Sequence, residues 1–167
     1  VIGLITIGAT TLVARHIGAG QTDRARQAAS EVLSFGLPFG ILVAALGLAT
    51  MDILCDHLGL SAQVALETKS YLRLLYPSFL LSFWIWAFSA GQQGAGDTVT
   101  PFKIGLLAFG LNVGLDPLLI YGLGPIPAFG LEGAAMASLT AKATAILAFT
   151  WLARRGRLLI DPATIRF

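Results

Sequence analysis

The sequence predicts an all-α fold: a polytopic membrane helical bundle of about five transmembrane helices, the first one truncated, with no strands. Three observations carry this. Hydrophobic residues make up 56% of the 167 residues. Charged residues make up only 12%, against about 25% in a soluble domain, which leaves too little polar surface to coat a soluble fold. The apolar residues also fall in runs of roughly 20, the length at which a helix crosses a bilayer. They lack the period-two alternation of barrel strands.

The first span is partial, from Val1 to about Ala14. The chain starts at Val1, not Met, inside an apolar run with no basic segment ahead of it. This reads as a fragment cut within its first membrane helix, with no signal peptide. The second span runs from about Val32 to Cys55 with Pro38 inside it, and the third, aromatic-rich, from about Ser70 to Gln92. The fourth runs from Pro101 to about Gly122 and the fifth from Leu131 to about Ala153.

The connections carry turn chemistry. Gly18-Ala19-Gly20 and Gly94-Ala95-Gly96 end two helices, where glycine relieves the left-handed strain of a C-terminal cap. Thr100 is expected to cap the fourth span with Pro101 at its first position. Pro125 and Pro127 break the chain between the fourth and fifth spans. Gly36-x-x-x-Gly40 and Gly110-x-x-x-Gly114 have the spacing that lets membrane helices approach closely, a weak signal in a Gly-rich chain. The aromatic run Phe79, Phe83, Trp84, Trp86 and Phe88 faces lipid or packs, with substrate contact the rarer alternative. Cys55 is the only cysteine, so no internal disulfide forms, no thiol metal site is expected, and the side chain reads as a small buried apolar group.

Charge placement orients the bundle. With alternating spans, Arg15, Arg24, Arg26, Lys103, Arg154, Arg155, Arg157 and Arg166 share one side, and the opposite loops hold only Lys69, with Arg73 about a turn inside the next helix. Basic residues favour the cytoplasm, so the first, third and last connections are cytoplasmic. Trp151 and Tyr121 sit near helix ends, where amphipathic rings prefer to be. The net charge of +2 is small and points to no nucleic acid.

An ionisable residue inside a span is a functional candidate, because its charge is costly in hydrocarbon. Asp116 and Lys142 stand out; Asp52, Asp56 and Glu132 lie near outer helix ends, where water reaches them. Asn112 and Asp116 are spaced i, i+4 and share a helix face. Pro117 cannot donate to the carbonyl of Val113, which leaves that oxygen free. This hard set suits a proton or a sodium ion and not a soft metal. The alternative for Asp116 is a structural hydrogen bond between helices. In antiparallel helices, Asp116 roughly 22 Å from Pro101 and Ser138 roughly 22 Å from Ala153 lie at similar depth. Lys142 matches Asn112 in the same way; it either faces the bundle cavity or snorkels to the interface.

Gly94-Ala95-Gly96-Asp97 also matches the G-x-G-D of intramembrane aspartyl proteases. That chemistry needs two carboxylates sharing a proton. Asp97 lies in a turn at the cytoplasmic surface and Asp116 far deeper, so Asp97 is expected to be a loop or capping acid and no enzyme is expected.

These residues resemble a known family. The run from Gly8 to Arg15 with Ile17-Gly18-Ala19-Gly20 is similar to the end of the second helix of MATE (multidrug and toxic compound extrusion) transporters. Gly94-Ala95-Gly96-Asp97-Thr98 and Thr100-Pro101 resemble their turn between helices four and five. Asn112-x-x-x-Asp116-Pro117, Gly122-Leu123-Gly124 and Gly133-Ala134-Ala135-Met136-Ala137-Ser138 resemble helices five and six. The resemblance implies a parent of twelve helices in two six-helix lobes. Residues 1–153 would be helices two to six of the N-terminal lobe, and 154–167 a cytoplasmic linker toward a missing C-terminal lobe. It implies a secondary active antiporter, multi-pass in a bacterial inner membrane, that exports organic cations or amphipathic drugs against protons or sodium, with no other cofactor. Its partners would be the substrate, the lipid bilayer, and the missing first helix and C-terminal lobe. The implied cation-coupling residues are Asp116, Asn112 and Ser138, the last a Thr in many relatives; Lys142 is a possible cavity residue from its depth and not from the resemblance. Gln92-Gln93 departs from the Arg that many relatives carry before the Gly-Ala-Gly turn. A lipid-linked oligosaccharide flippase of the same superfamily is the alternative; its cavity should be strongly basic, and here Lys142 alone is basic at mid-membrane.

Overall fold

A computed structural model of the protein describes residues 2–159, with side chains from residue 6 onward. Val1, Arg166 and most of the proposed 154–167 linker lie outside the described residues. Five helices follow one another: α1 (Ile2–Gly18), α2 (Thr22–His57), α3 (Ala62–Gly94), α4 (Val99–Tyr121) and α5 (Leu131–Arg154). Among the described residues the only extended pairing is an isolated bridge between Leu123 and Ile126. α2 to α5 are each long and apolar enough to cross a membrane.

Two helices extend well past the predicted spans. α2 begins at Thr22, about ten residues before Val32, and α3 at Ala62 rather than Ser70. At about 1.5 Å rise per residue, α2 is roughly 54 Å long against a hydrocarbon core of about 30 Å. Its polar first third therefore protrudes from the core. Ala25, Ala28 and Ala29 carry that segment; they are strong helix formers and are buried.

α3 is the hub. It packs along α2 and also touches α1, α4 and α5. A cluster of Val13, Ala28, Leu33, Phe88, Phe149 and Leu158 joins the basic-rich ends of the helices into one core. Phe88 and Phe149 stack with centroids 5.3 Å apart, so the aromatic run packs there. Along α2, Gly40 lets the helix approach α3, because a Cβ there would lie 3.1 Å from the Leu80 Cα. The second spacing motif behaves otherwise: Gly110 and Gly114 face open space. α4 leans on α5 and barely touches α3.

The α3–α4 turn differs from expectation in its cap. α4 starts at Val99 with no cap bond from the side chain of Thr98, its first flanking residue. Instead the Asp97 Oδ1 accepts the Thr100 backbone N–H at 3.0 Å, and Gly96 takes φ +89° to let the chain reverse. Thr100 is thus the capped residue and Pro101 the third of the helix. Burial works to raise the Asp97 carboxyl, but hydrogen bonds from Thr100, Gln92 and Val99 outweigh it and hold the group below its usual range. At the far end of α4, the loop folds back, with Phe129 and Gly130 donating to the carbonyls of Leu119 and Ile120 at 2.9 and 3.1 Å.

Candidate functional site

α4 and α5 run antiparallel and seal along Gly133, where an added Cβ would collide with the backbone oxygen of Leu119. This close approach brings Asn112 and Ser138 together, with the Asn112 amide 3.3 Å from the Ser138 hydroxyl. The amide orientation that satisfies both neighbours turns its nitrogen toward Asp116. It then donates to Asp116 Oδ2 at 3.2 Å, while its oxygen accepts the Ser138 backbone N–H at 3.3 Å. The second oxygen, Oδ1, is buried and has no hydrogen-bond partner. Such an atom is rare and costly. The structure thus brings together Asn112, Asp116 and Ser138. Their oxygens could hold a proton or a hard cation. Among the described residues no group of three His, Cys, Asp or Glu side chains converges.

Lys142 does not extend toward the interface. Its Nζ donates to the Ser78 Oγ at 2.9 Å and lies 6.0 Å from the Phe79 ring centroid. Ser78 is only 1% exposed. Lys142 sits midway along α5 and Ser78 midway along α3. Lys142, Asn112 and Ser138 line one cavity of about 280 Å³ between α3, α4 and α5. Asn112 therefore belongs to both groups: it borders the cavity and bonds Asp116.

The remaining acids are occupied or peripheral. Asp52 pairs with Lys69 at 2.7 Å, joining the exposed ends of α2 and α3. Asp97 is held at the α4 cap, and some 19 residues of chain, roughly 28 Å of helix, separate it from Asp116. Two residues were not assigned from the sequence. Ser78 gave no signal, since its partner depends on which helix faces α5. Gln92 is buried and bridges the Asp97 carboxylate at 3.2 Å and the Leu159 backbone N–H at 2.7 Å. A glutamine supplies both the donor and the acceptor that this position uses, which arginine cannot.

The MatE family model matches residues 1–118. The chain is 28% identical over 161 residues to the probable multidrug resistance protein YoeA of Bacillus subtilis, covering 95% of this chain and 35% of that protein. It is 32% identical over 138 residues to the probable multidrug resistance protein NorM of Thermotoga maritima, covering 82% of this chain and 30% of that protein. The inward-facing structure of a multidrug resistance MATE family transporter of the MOP superfamily superposes with a TM-score of 0.85 at 27% identity, over 97% of this chain and 36% of that one. The chain spans about a third of the length of these relatives. With four membrane-length helices in the family's arrangement and a family match over most of its length, the chain is a multi-pass membrane protein and belongs to the MatE family, the MATE transporters.

Proposed function

We propose that this chain supplies most of the N-terminal lobe of a drug-exporting antiporter, in which Asp116 takes up the coupling proton or sodium ion. Residues 1–153 would form helices two to six of that lobe and 154–167 the linker to the second lobe, in a bacterial inner membrane. The substrates would be amphipathic drugs or organic cations, moved without covalent chemistry. Relatives named for multidrug resistance support the transport reading.

One observation carries the ion assignment: the buried, unpartnered Oδ1 of Asp116 beside Asn112. A bare carboxylate inside a membrane is costly. A proton on Oδ1 removes the charge, and a sodium ion neutralises it, with the Asn112 oxygen available as a further ligand once the amide turns over. Either event changes what the backbone around Pro117 can bond to, since Pro117 leaves the Val113 carbonyl without its helical donor. A bend that responds to ion uptake would present a different α4 face to the cavity and so link ion entry to drug release. Alternating access needs two halves moving about a site between them, so the 167 residues alone would not transport.

The test is Asp116→Asn in the complete transporter, reconstituted in proteoliposomes with an imposed proton or sodium gradient. Gradient-driven drug movement should fall to background while insertion and folding persist. Normal gradient-driven export by this variant would leave Asp116 a packing residue and end the proposal.

A further inference from the structure

Lys142 is a charge placed where a membrane protein has least reason to put one. It lies at the midpoint of α5, and its Nζ is held by a serine that is itself 1% exposed at the midpoint of α3. A lysine of this length often reaches along its helix to the interface; here Nζ turns inward to α3 instead. The serine oxygen satisfies one of three ammonium donors. The only ion pair among the described residues joins Lys69 and Asp52, so Lys142 has no carboxylate partner there. The cavity that Lys142 lines holds Ser89, Asn112 and Ser138 as further polar side chains and no acidic one. Asp116, one turn beyond Asn112, does not border it. Among the described residues the cavity thus carries one positive group, Lys142, with neutral hydrogen-bonding groups and apolar walls from Ile85, Ala108 and Phe149.

We infer that Lys142 and Ser78 form a subsite for a single anionic group, so that the preferred substrates are amphiphiles carrying a carboxylate or a monophosphate, either anionic or zwitterionic. This rests on the export reading above and narrows its substrates to the amphipathic compounds, away from simple organic cations. One lysine matches the single charge of a carboxylate or of a singly ionised phosphate. The two remaining ammonium donors are available to a ligand's oxygens, and the apolar walls to its aromatic or alkyl body. Ser78 fixes the ammonium at mid-membrane, so the charge does not have to be reoriented when the ligand arrives. A charge-assisted hydrogen bond is stronger than one between neutral groups. The ion at Asp116 and the anion at Lys142 would then occupy separate places in one lobe, joined through Asn112.

The test uses the purified complete transporter with two fluorescent probes: dansylglycine, an aromatic monocarboxylate, and ethidium, an aromatic cation. Binding is read by fluorescence anisotropy, and folding of each variant by thermal unfolding. Lys142→Met should weaken dansylglycine by about tenfold or more, the worth of one charge-assisted hydrogen bond, and leave ethidium within about twofold on the same scale. Lys142→Arg should keep most of the dansylglycine affinity, and Ser78→Ala should lose part of it. The inference is overturned if wild type fails to bind dansylglycine, or if Lys142→Met weakens both probes equally, which would make Lys142 a structural partner of an acid elsewhere in the protein. Tight binding of farnesyl pyrophosphate with dansylglycine unbound would overturn it in favour of a lipid-pyrophosphate site. These readouts require no ion gradient, so they stand apart from the Asp116→Asn result.

Discussion

Gln92 holds the Asp97 carboxylate across 3.2 Å, tying the last turn of α3 to the cap of α4. Its other end accepts the backbone N–H of Leu159 at 2.7 Å, so the chain leaving α5 is fastened to the same point. One buried amide joins three segments at the basic-rich end of the bundle. Gln92→Leu keeps the volume but leaves the Leu159 N–H and one Asp97 oxygen without their partner. A buried group deprived of its hydrogen bond costs about 1–3 kcal/mol. The variant should therefore unfold several degrees lower on a thermal melt in detergent, by the usual conversion of roughly 2–8 °C per kcal/mol. An unchanged melt would mean that water replaces the amide at no cost.

Acid should loosen the same turn. Asp97 is held below the usual carboxylate range in the folded state, because its hydrogen bonds with Thr100, Gln92 and Val99 outweigh burial. A depressed folded value means that the unfolded chain binds its proton first as pH falls. The stabilisation is complete above the ordinary carboxylate range and is lost as pH drops through the lowered folded value. Melts taken downward from neutral pH should show this loss in the wild type. Asp97→Asn should lower the neutral-pH melt and flatten the acid dependence; an equally steep acid loss in that variant would assign it to other carboxylates.

The helix centres were legible because an apolar run of about 20 residues has one economical structure in a membrane. The ends were not. Residues 22–31 read as polar because they protrude beyond the hydrocarbon, yet Ala25, Ala28 and Ala29 repeat at i, i+3, i+4 and are buried, a helical signal that hydropathy alone overlooks. The pairing of Asn112 with Asp116 followed from helix periodicity, but antiparallel depth matched Ser138 to Asp116 and Lys142 to Asn112, whereas the structure sets Ser138 against Asn112, one turn away. The partner of Lys142 could not be read, since Ser78 lies 64 residues away and the contact depends on how α5 settles on α3. Gly110 and Gly114 show the reverse error: a packing motif is visible in sequence whether or not a helix packs on it.

That contrast is testable with two small substitutions. Gly133→Ala drives a Cβ into the backbone of Leu119, which cannot rotate away. Overpacking of this kind costs about 1–3 kcal/mol, and it should push α5 off α4 and separate Ser138 from Asn112. Gly110→Ala meets no atom within 4 Å and gains about 0.5–1 kcal/mol, because alanine has less backbone freedom to lose from the unfolded chain. Thermal unfolding should move in opposite directions for the two. A destabilised Gly110→Ala would show that another segment of the complete protein packs against this face of α4.

Asn112 should be the residue whose loss separates ion uptake from substrate binding. Its amide is the described contact to Asp116 and the side chain that carries this contact to the cavity bearing Lys142. Asn112→Leu preserves bulk and helix propensity but removes both the donor to Asp116 Oδ2 and the acceptor for the Ser138 N–H. Substrate affinity at equilibrium should fall only by what the cavity loses with the amide, because the Lys142–Ser78 pair is untouched. The dependence of that affinity on pH or sodium should shrink, because the two sites lose their shared group and coupling is a free energy carried between sites. Ser138→Thr, which keeps the hydroxyl, should behave as wild type, and Ser138→Ala should fall between wild type and Asn112→Leu. The measurement is probe affinity in the complete transporter across a pH series and a sodium series. If Asn112→Leu keeps the full ion dependence, the link runs through the α4 backbone at Pro117 and not through the Asn112 side chain.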